Sequence, residues 1–200
     1  MDQRQSGTGI IRSKIDVNTW LARAPTSSEV RPARCTCCGA AGRPTGGKLA
    51  IHGHGVRERQ VRGPPKSGHR SAIVVVQVRR YQCQQCGAVM TVVPRAVLAR
   101  MLYAATAIGL ALALYGFEGK SAGEVRGAVS AWPVIGPSST GWKTLRRWIT
   151  RASTLWACVR ESPASFTTPQ RAERAAATLM AHAPGAGSTD AAFAGAERAR

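Results

Sequence analysis

Hydrophobic and polar positions divide the chain into a β-prone first half and a helical second half. Ala72–Tyr81 is rich in Val and predicts a strand, and Leu49–Val61 predicts a second strand with glycine near its centre. Gly63–Gly68 contains two prolines and predicts the turn of a hairpin between them. Residues 1–33 are polar and poorly periodic, so we expect a loose basic N-terminal arm with a short helix near Val17–Ala22.

Two helices are predicted directly after the hairpin. Val97–Phe117 is almost entirely apolar, which indicates a helix buried on all sides. Within it, Met101–Phe117 carries no charge, so a short membrane-spanning helix is the alternative. Ser121–Ala131 predicts the next helix, because Ser121 followed three residues later by Glu124 is typical of a capping box.

A third helix is predicted from Gly141 to Val159, after the Pro-containing linker Trp132–Ser138 and with Ser139 or Thr140 as its cap. At 100° per residue, this helix has an apolar side and a cationic side. The apolar side is formed by Trp142, Leu145, Trp148, Ile149, Ala152, Leu155, Trp156 and Val159. The opposite side presents Lys143, Thr144, Arg146, Arg147, Thr150 and Arg151.

The charge balance indicates a polyanionic partner. Lysine and arginine number 28 against 10 acidic residues, which gives a formal net charge of +18. DNA, RNA and an anionic membrane surface all fit such a charge. The N-terminus has no apolar signal segment, so a cytoplasmic location is expected, where cysteines favour metal binding over disulfides.

The cysteines form two matched C-x-x-C-G units, Cys35 to Cys38 and Cys83 to Cys86. Each unit can form a tight turn, and the following glycine permits a backbone conformation that other residues resist. Four thiolates are the preferred ligands of structural zinc, and they leave no open position for catalysis. We therefore expect one structural Zn²⁺ held by these four cysteines.

Other groups near the expected metal site leave alternatives open. Cys37 could replace Cys35 or Cys38 as a ligand, and His52 and His54 could compete for the metal. A redox-active dithiol is a further alternative, although it would not explain two matched units. Cys158 lies in the third helix and is expected to be a small apolar core residue.

The cationic side of the third helix is the candidate DNA-binding site. Its arginines could contact guanine edges or phosphates, and Arg79 and Arg80 would extend the positive surface. An ordinary solvated face on a core helix is the alternative. The tryptophans could likewise stack on bases, but their alignment with Leu145 and Ile149 favours core packing.

The sequence does not favour an enzyme. Aspartate occurs only at positions 2, 16 and 190, and the glutamates are scattered along the chain. A two-metal nuclease or strand-transfer site needs several converging carboxylates. No P-loop, nucleophile elbow or dinucleotide-binding glycine pattern is present, so no catalytic residue is assigned.

The order of these parts resembles the N-terminal zinc-ribbon and helix-turn-helix region of bacterial insertion-sequence transposases, over roughly residues 34–152. The resemblance is carried by the two cysteine units, the segment Arg79–Gly87 (RRYQCQQCG), the Pro94-Arg95 boundary and Thr144–Trp148 (TLRRW). It implies that the four cysteines bind zinc and that Lys143–Arg151 contacts the element's terminal DNA. Such transposases carry an acidic catalytic domain downstream, and this chain has none, so no catalytic role is carried over.

Together, these observations predict an α+β protein with flexible termini. A small β-hairpin zinc ribbon is expected over residues 34–94 and a three-helix, helix-turn-helix-like domain over 95–160. Residues 161–200 are expected to be an Ala/Pro/Gly-rich, partly disordered tail with a short helix at Pro169–Ala183 and a linker at Pro184–Thr189.

The leading functional hypothesis is a nucleoid-associated DNA-binding protein of transposase origin without its own catalytic domain. Its expected partner is double-stranded DNA, and a separate catalytic subunit and a second copy of the chain are further partner hypotheses. The alternatives are a transcriptional regulator with the same module, a zinc-ribbon scaffold for a protein partner, and a membrane-anchored protein.

Overall fold

The computed structural model describes residues 9–132, 142–185 and 187–199, which belong to two structural units. Unit 1 comprises Met1–Gln60 and Val75–Ala99, and unit 2 comprises Val61–Val74 and Arg100–Arg200. These boundaries differ from those expected at residues 33, 94 and 160. The difference arises because Val61–Val74, the turn end of the predicted β-hairpin, belongs to the same unit as the helical second half of the chain.

Unit 1 is built on a mixed sheet with the strand order β1-β4-β3-β2. The strands are β1 (Gly9–Arg12), β2 (Ile51–Gly63), β3 (Ala72–Cys83) and β4 (Val89–Val93). Strand β4 pairs with β1 in parallel and with β3 in antiparallel fashion. The two hairpin strands were predicted within two residues of their observed ends.

The expectation of a loose N-terminal arm is wrong for residues 9–33. Strand β1 places Gly9 opposite Met90 and Arg12 opposite Val93. The following helix, α1, spans Val17–Ala22 as predicted and buries Trp20, which is 1% exposed. This segment is ordered because β1 pairs with β4 and because the indole N–H of Trp20 donates to the carbonyl of Gln77 in β3.

The first long helix of unit 2, α2 (Ala105–Gly116), is buried as its apolar sequence predicts. It is shorter than the expected Val97–Phe117. Before it, Arg100 adopts a positive φ of 59°, and Tyr103 forms a parallel bridge with Arg62, so the chain cannot be helical there. Among the described residues, no helix is long and apolar enough to cross a membrane.

The remaining helices of unit 2 include one that was not predicted. They are α3 (Ala122–Val129), α4 (Lys143–Thr150), α5 (Ala152–Leu155), α6 (Thr168–Met180) and α7 (Ser188–Arg198). Helices α6 and α7 pack against α2 and against each other. Helix α6 corresponds to the short helix predicted at Pro169–Ala183, whereas α7 lies where a disordered end was expected, because the alanines of both helices form part of the bundle core.

The predicted third helix is interrupted in the structure. Helix α4 ends at Thr150, and Arg151, with φ −99° and ψ 8°, separates it from α5. Helix α3 begins with the predicted capping box. The linker beyond Trp132, the candidate caps Ser139 and Thr140, and Gly141 lie outside the described residues. Helix α3 packs on α2, whereas α4 packs on α6 and α2.

Candidate metal centre and basic helix face

Four cysteine sulfurs converge in unit 1. The Sγ atoms of Cys35, Cys38, Cys83 and Cys86 all lie within 4.8 Å of one another. The Cys35–Cys86 Sγ distance is 3.7 Å and the Cys38–Cys83 distance is 3.8 Å. Tetrahedral coordination with metal–sulfur bonds of about 2.3 Å requires sulfurs about 3.8 Å apart. The cluster therefore has the spacing of a four-coordinate metal site.

The first pair of sulfurs is positioned by a tight backbone turn. The N–H of Gly39 donates to the carbonyl of Cys35 at 3.0 Å, and the N–H of Cys35 donates to the carbonyl of Ala40 at 2.9 Å. Gly39 has a φ of +74°, a left-handed conformation that favours glycine. The N–H of Cys37 also donates to the Cys35 sulfur at 3.4 Å, which favours a thiolate there.

The second pair repeats the first turn. The N–H of Gly87 donates to the carbonyl of Cys83 at 2.8 Å, and the N–H of Cys83 donates to the carbonyl of Ala88 at 3.0 Å. Gly87 has a φ of +75°. The same backbone geometry on both sides brings the two cysteine pairs together as a matched set of ligands.

The electrostatics of the cluster call for a cation. Burial acts to raise the pKa of the Cys35 thiol, but the backbone N–H groups of Cys38 and Cys37 outweigh it and lower the pKa to about 7. For Cys38, the N–H of Ala40 acts to lower the pKa, yet burial and the three neighbouring thiols raise it to about 12. Without a cation, a second thiolate beside the first is unfavourable. A divalent metal ion would stabilise all four thiolates.

The alternative ligands lie outside this cluster. Within the part of the chain that the structure describes, the group of convergent metal ligands consists of the four predicted cysteines alone. Cys37 is exposed, and the ring of His52 lies with Nε2 2.6 Å from the carbonyl oxygen of Leu49. Cys158 is half-buried in unit 2, where burial raises the pKa of its thiol.

The candidate DNA-binding residues of α4 share an exposed surface, here called the basic face. Exposed positions on it are Lys143, Arg146, Arg147, Thr150 and Arg151, and Thr144 is half-buried. On the other side, Leu145, Trp148 and Ile149 are buried. The hydroxyl of Thr150 donates back to the carbonyl of Arg146 at 3.0 Å. Helix α4 thus has the division into core and cationic sides that its sequence predicted.

The charge on the basic face is not neutralised by neighbouring groups. Within residues 9–132, 142–185 and 187–199, no carboxylate forms a salt bridge with Lys143, Arg146, Arg147 or Arg151. The candidates in unit 1 are placed differently. Arg79 is half-buried and its Nε donates to the carbonyl of Pro25 at 2.8 Å, whereas Arg80 is half-buried on the same strand. Arg79 therefore serves at least in part to hold a loop of unit 1.

An aromatic cluster fixes the apolar side of α4. The rings of Trp142 and Trp148 meet edge to face at 4.9 Å, and Tyr103 packs against both in the same manner. Trp156 is fully buried and its indole N–H donates to the carbonyl of Ala196 at 2.9 Å. These contacts favour core packing over base stacking for Trp148 and Trp156. Tyr103 was missed in the sequence, since it precedes α2 and belongs to no periodic pattern.

The geometry thus presents a closed thiolate site in unit 1 and an exposed cationic helix in unit 2. No family model, no curated protein and no solved structure matches this chain. Its function is therefore inferred from the chemistry of these two features.

Proposed function

We propose that this chain is a zinc-stabilised protein that binds double-stranded DNA through the basic face of α4. The observation that carries the proposal is the division of α4 into a buried aromatic side and an exposed side with four cations. A helix anchored by its apolar residues can present its cations to a groove or to phosphates without rearranging.

The metal proposal rests on the donor set and its spacing. Zinc is bound by four thiolates in structural sites, and the Sγ distances of 3.7 and 3.8 Å match that geometry. Cys35, Cys38, Cys83 and Cys86 would hold the ion. It would fix the two turns to each other and contribute folding free energy to unit 1. Four protein ligands leave no position for substrate, so the ion has a structural role.

The DNA proposal rests on charge as well as on shape. The formal net charge is +18, and the basic face carries four cations, three on the eight-residue helix α4 and one on its C-cap, Arg151. Neutralising DNA phosphates releases condensed counterions, which favours binding by such a surface. A polyanion would pair with cations of the basic face that form no salt bridge with a described carboxylate.

We further propose an origin in a transposase DNA-binding region. The support is the resemblance of the two cysteine units, Arg79–Gly87 and Thr144–Trp148 to that region.

The direct test is the salt dependence of DNA binding by Arg146→Ala combined with Arg147→Ala. We expect weaker binding and a salt slope smaller by up to about two units, because about one unit is lost for each phosphate contact removed. The matched control is Lys120→Ala combined with Arg198→Ala, which removes the same charge from two exposed positions of unit 2 outside the basic face. Equal slopes for both double variants would contradict a specific role for the basic face.

The DNA sequence that the protein prefers would distinguish a transposase origin from a role as a transcriptional regulator. Genomic fragments captured at near-physiological salt would be sequenced, because bulk affinity of such a basic protein is uninformative. Enrichment at inverted repeats flanking mobile elements would support the transposase origin. Enrichment upstream of ordinary genes would instead indicate a transcriptional regulator.

A further inference from the structure

The turn that joins β2 and β3 presents a second group of cations in unit 2. This hairpin loop, Pro64–Arg70, has the cations Lys66 and Arg70 exposed, and His69 is exposed between them. The sequence contains no acidic residue between Glu58 and Glu118, so the loop has no carboxylate in its own neighbourhood along the chain. Among the described residues, no carboxylate forms a salt bridge with Lys66 or Arg70, so their charge is available to an external anion.

Both ends of the hairpin loop are fixed to the helical part of unit 2. Before the loop, the N–H of Arg62 donates to the carbonyl of Leu102 at 2.8 Å, and the N–H of Ala104 donates to the carbonyl of Arg62 at 2.9 Å. After the loop, the hydroxyl of Ser71 donates to the carbonyl of Val129 at 2.8 Å. These hydrogen bonds restrict the position of the loop relative to the helices of unit 2.

The inner part of the loop is also restricted. The N–H of His69 donates to the carbonyl of Lys66 at 3.2 Å, and Gly68 adopts a φ of +75°. Two prolines at the start of the loop limit the backbone further. A loop ordered before binding loses little conformational entropy when it meets a ligand.

One residue connects the base of this loop with the apolar side of α4. Tyr103 forms a parallel bridge with Arg62, and its ring lies 4.9 Å from the ring of Trp148 and 6.0 Å from that of Trp142. Tyr103 therefore contacts the strand that leads into the loop through its backbone and the apolar side of α4 through its ring. Two cationic elements anchored on one residue of unit 2 can contact one duplex, whose major groove is about 12 Å wide.

We infer that the hairpin loop is a second DNA contact, in which Lys66 and Arg70 bind backbone phosphates of the duplex engaged by α4. This inference rests on the proposed function. Phosphates rather than bases are the expected targets, because a tight loop is less able than a helix to enter a groove. Phosphate contacts by Lys and Arg position a protein on DNA without reading its sequence. The loop would set the orientation of α4 in the groove.

The test compares the salt dependence of duplex binding by Lys66→Gln with Arg70→Gln and by a matched control. The control, Arg43→Gln with Lys48→Gln, removes one arginine and one lysine from exposed positions of unit 1. We expect the loop variant to reduce the salt slope by up to about two units and the control to leave it near the unaltered value. Combined with the Arg146→Ala and Arg147→Ala changes, the reductions should add.

A variant that adds charge tests the inference independently of any misfolding caused by the loss of Lys66 and Arg70. His69→Lys adds a cation at an exposed position and retains the backbone hydrogen bond, so the slope should rise by about one unit. If α4 variants lower the slope while both loop variants behave like the control, the inference is overturned and the proposed function stands. If neither set changes the slope, both are overturned.

Discussion

Cys37 lies between two metal-ligand candidates in sequence, yet its side chain is exposed and outside the cluster. The turn that ends at Gly39 directs the sulfurs of Cys35 and Cys38 toward the second cysteine pair. It leaves Cys37 only a backbone role, since its N–H donates to the Cys35 sulfur. At the residue scale, the backbone of the turn selects the ligands from three adjacent thiols.

We expect Cys83→Ser to lose the bound metal and to destabilise unit 1 by several kcal/mol, because a ligand and the folding free energy of the metal are lost together. Metal content by mass spectrometry under native conditions and thermal unfolding would measure both effects. Cys37→Ser is the matched control and should retain metal and stability. Unchanged metal content in Cys83→Ser would rule out the four-cysteine assignment.

The Arg23–Glu29 pair gives a pH-dependent prediction. The Arg23 guanidinium and the N–H of Thr26 lower the pKa of the Glu29 carboxyl to about 2. Because this pKa is depressed in the folded state, the associated stability is present above the ordinary carboxyl pKa of about 4.5 and is lost as the pH falls toward 2. The side chains are exposed, so the effect on unfolding is small.

An NMR titration of the Glu29 carboxyl carbon would measure this shift. In Arg23→Gln, the pKa should return toward its ordinary value. A normal pKa in the unaltered protein would show that the ion pair does not persist in solution.

Helix α7 shows why part of the helical bundle was not predicted from the sequence. Its sequence, STDAAFAGAER, has few large apolar residues, so its buried side has little hydrophobic contrast. The helix packs through close backbone approach instead. Gly109 of α2 lies against Ala192 and Ala196, and Gly195 lies against the backbone of Leu179. Such contacts require residues with small side chains. A segment composed of such residues was interpreted from its composition as a disordered tail.

Other elements could be predicted because their signals are local. The capping box of Ser121 with Glu124 fixed the start of α3, and Asp16 caps α1 through the N–H of Thr19 at 2.9 Å. The end of α4 could not be predicted, since no glycine or proline marks Arg151. The short helix predicted at Pro169–Ala183 corresponds to α6, and the capping box of Thr167 with Gln170 marks its start.

We expect Gly195→Ala to destabilise unit 2 by about 1–3 kcal/mol, because the added methyl group would overlap the backbone of Leu179. Chemical denaturation followed by helical circular dichroism would measure the change. Gly127→Ala in α3 is the matched control. No atom lies within 4 Å of the added Cβ there, so alanine should stabilise by about 0.5–1 kcal/mol. Similar effects at both positions would contradict the close packing of α7.

At the scale of the whole molecule, the metal centre and most of the helices belong to different units. All four ligand candidates lie in unit 1, whereas α2 to α7 lie in unit 2. The cysteine spacing made the site predictable, because two matched turns identify their own ligands. The parallel pairing of β1 with β4 was not predictable, since it joins segments far apart in sequence that have no shared pattern.

Removal of metal by a chelator should therefore affect the two units differently. We expect the signals of unit 1, including the environment of the buried Trp20, to change, while most helical circular dichroism at 222 nm persists. Addition of Zn²⁺ should restore the original spectrum. Loss of the helical signal in parallel with the metal would show that unit 2 depends on the metal for its folding.

Unit 2 is discontinuous in sequence, and this limits how the gene can be divided. A fragment that encodes only Arg100–Arg200 lacks Val61–Val74, and with it the hydrogen-bond partners of Leu102, Ala104 and Val129. No single crossover can move the complete helical unit to another gene without the strands that also belong to the cysteine-bearing unit. Any single segment that carries all of unit 2 therefore also carries Val75–Ala99 of unit 1.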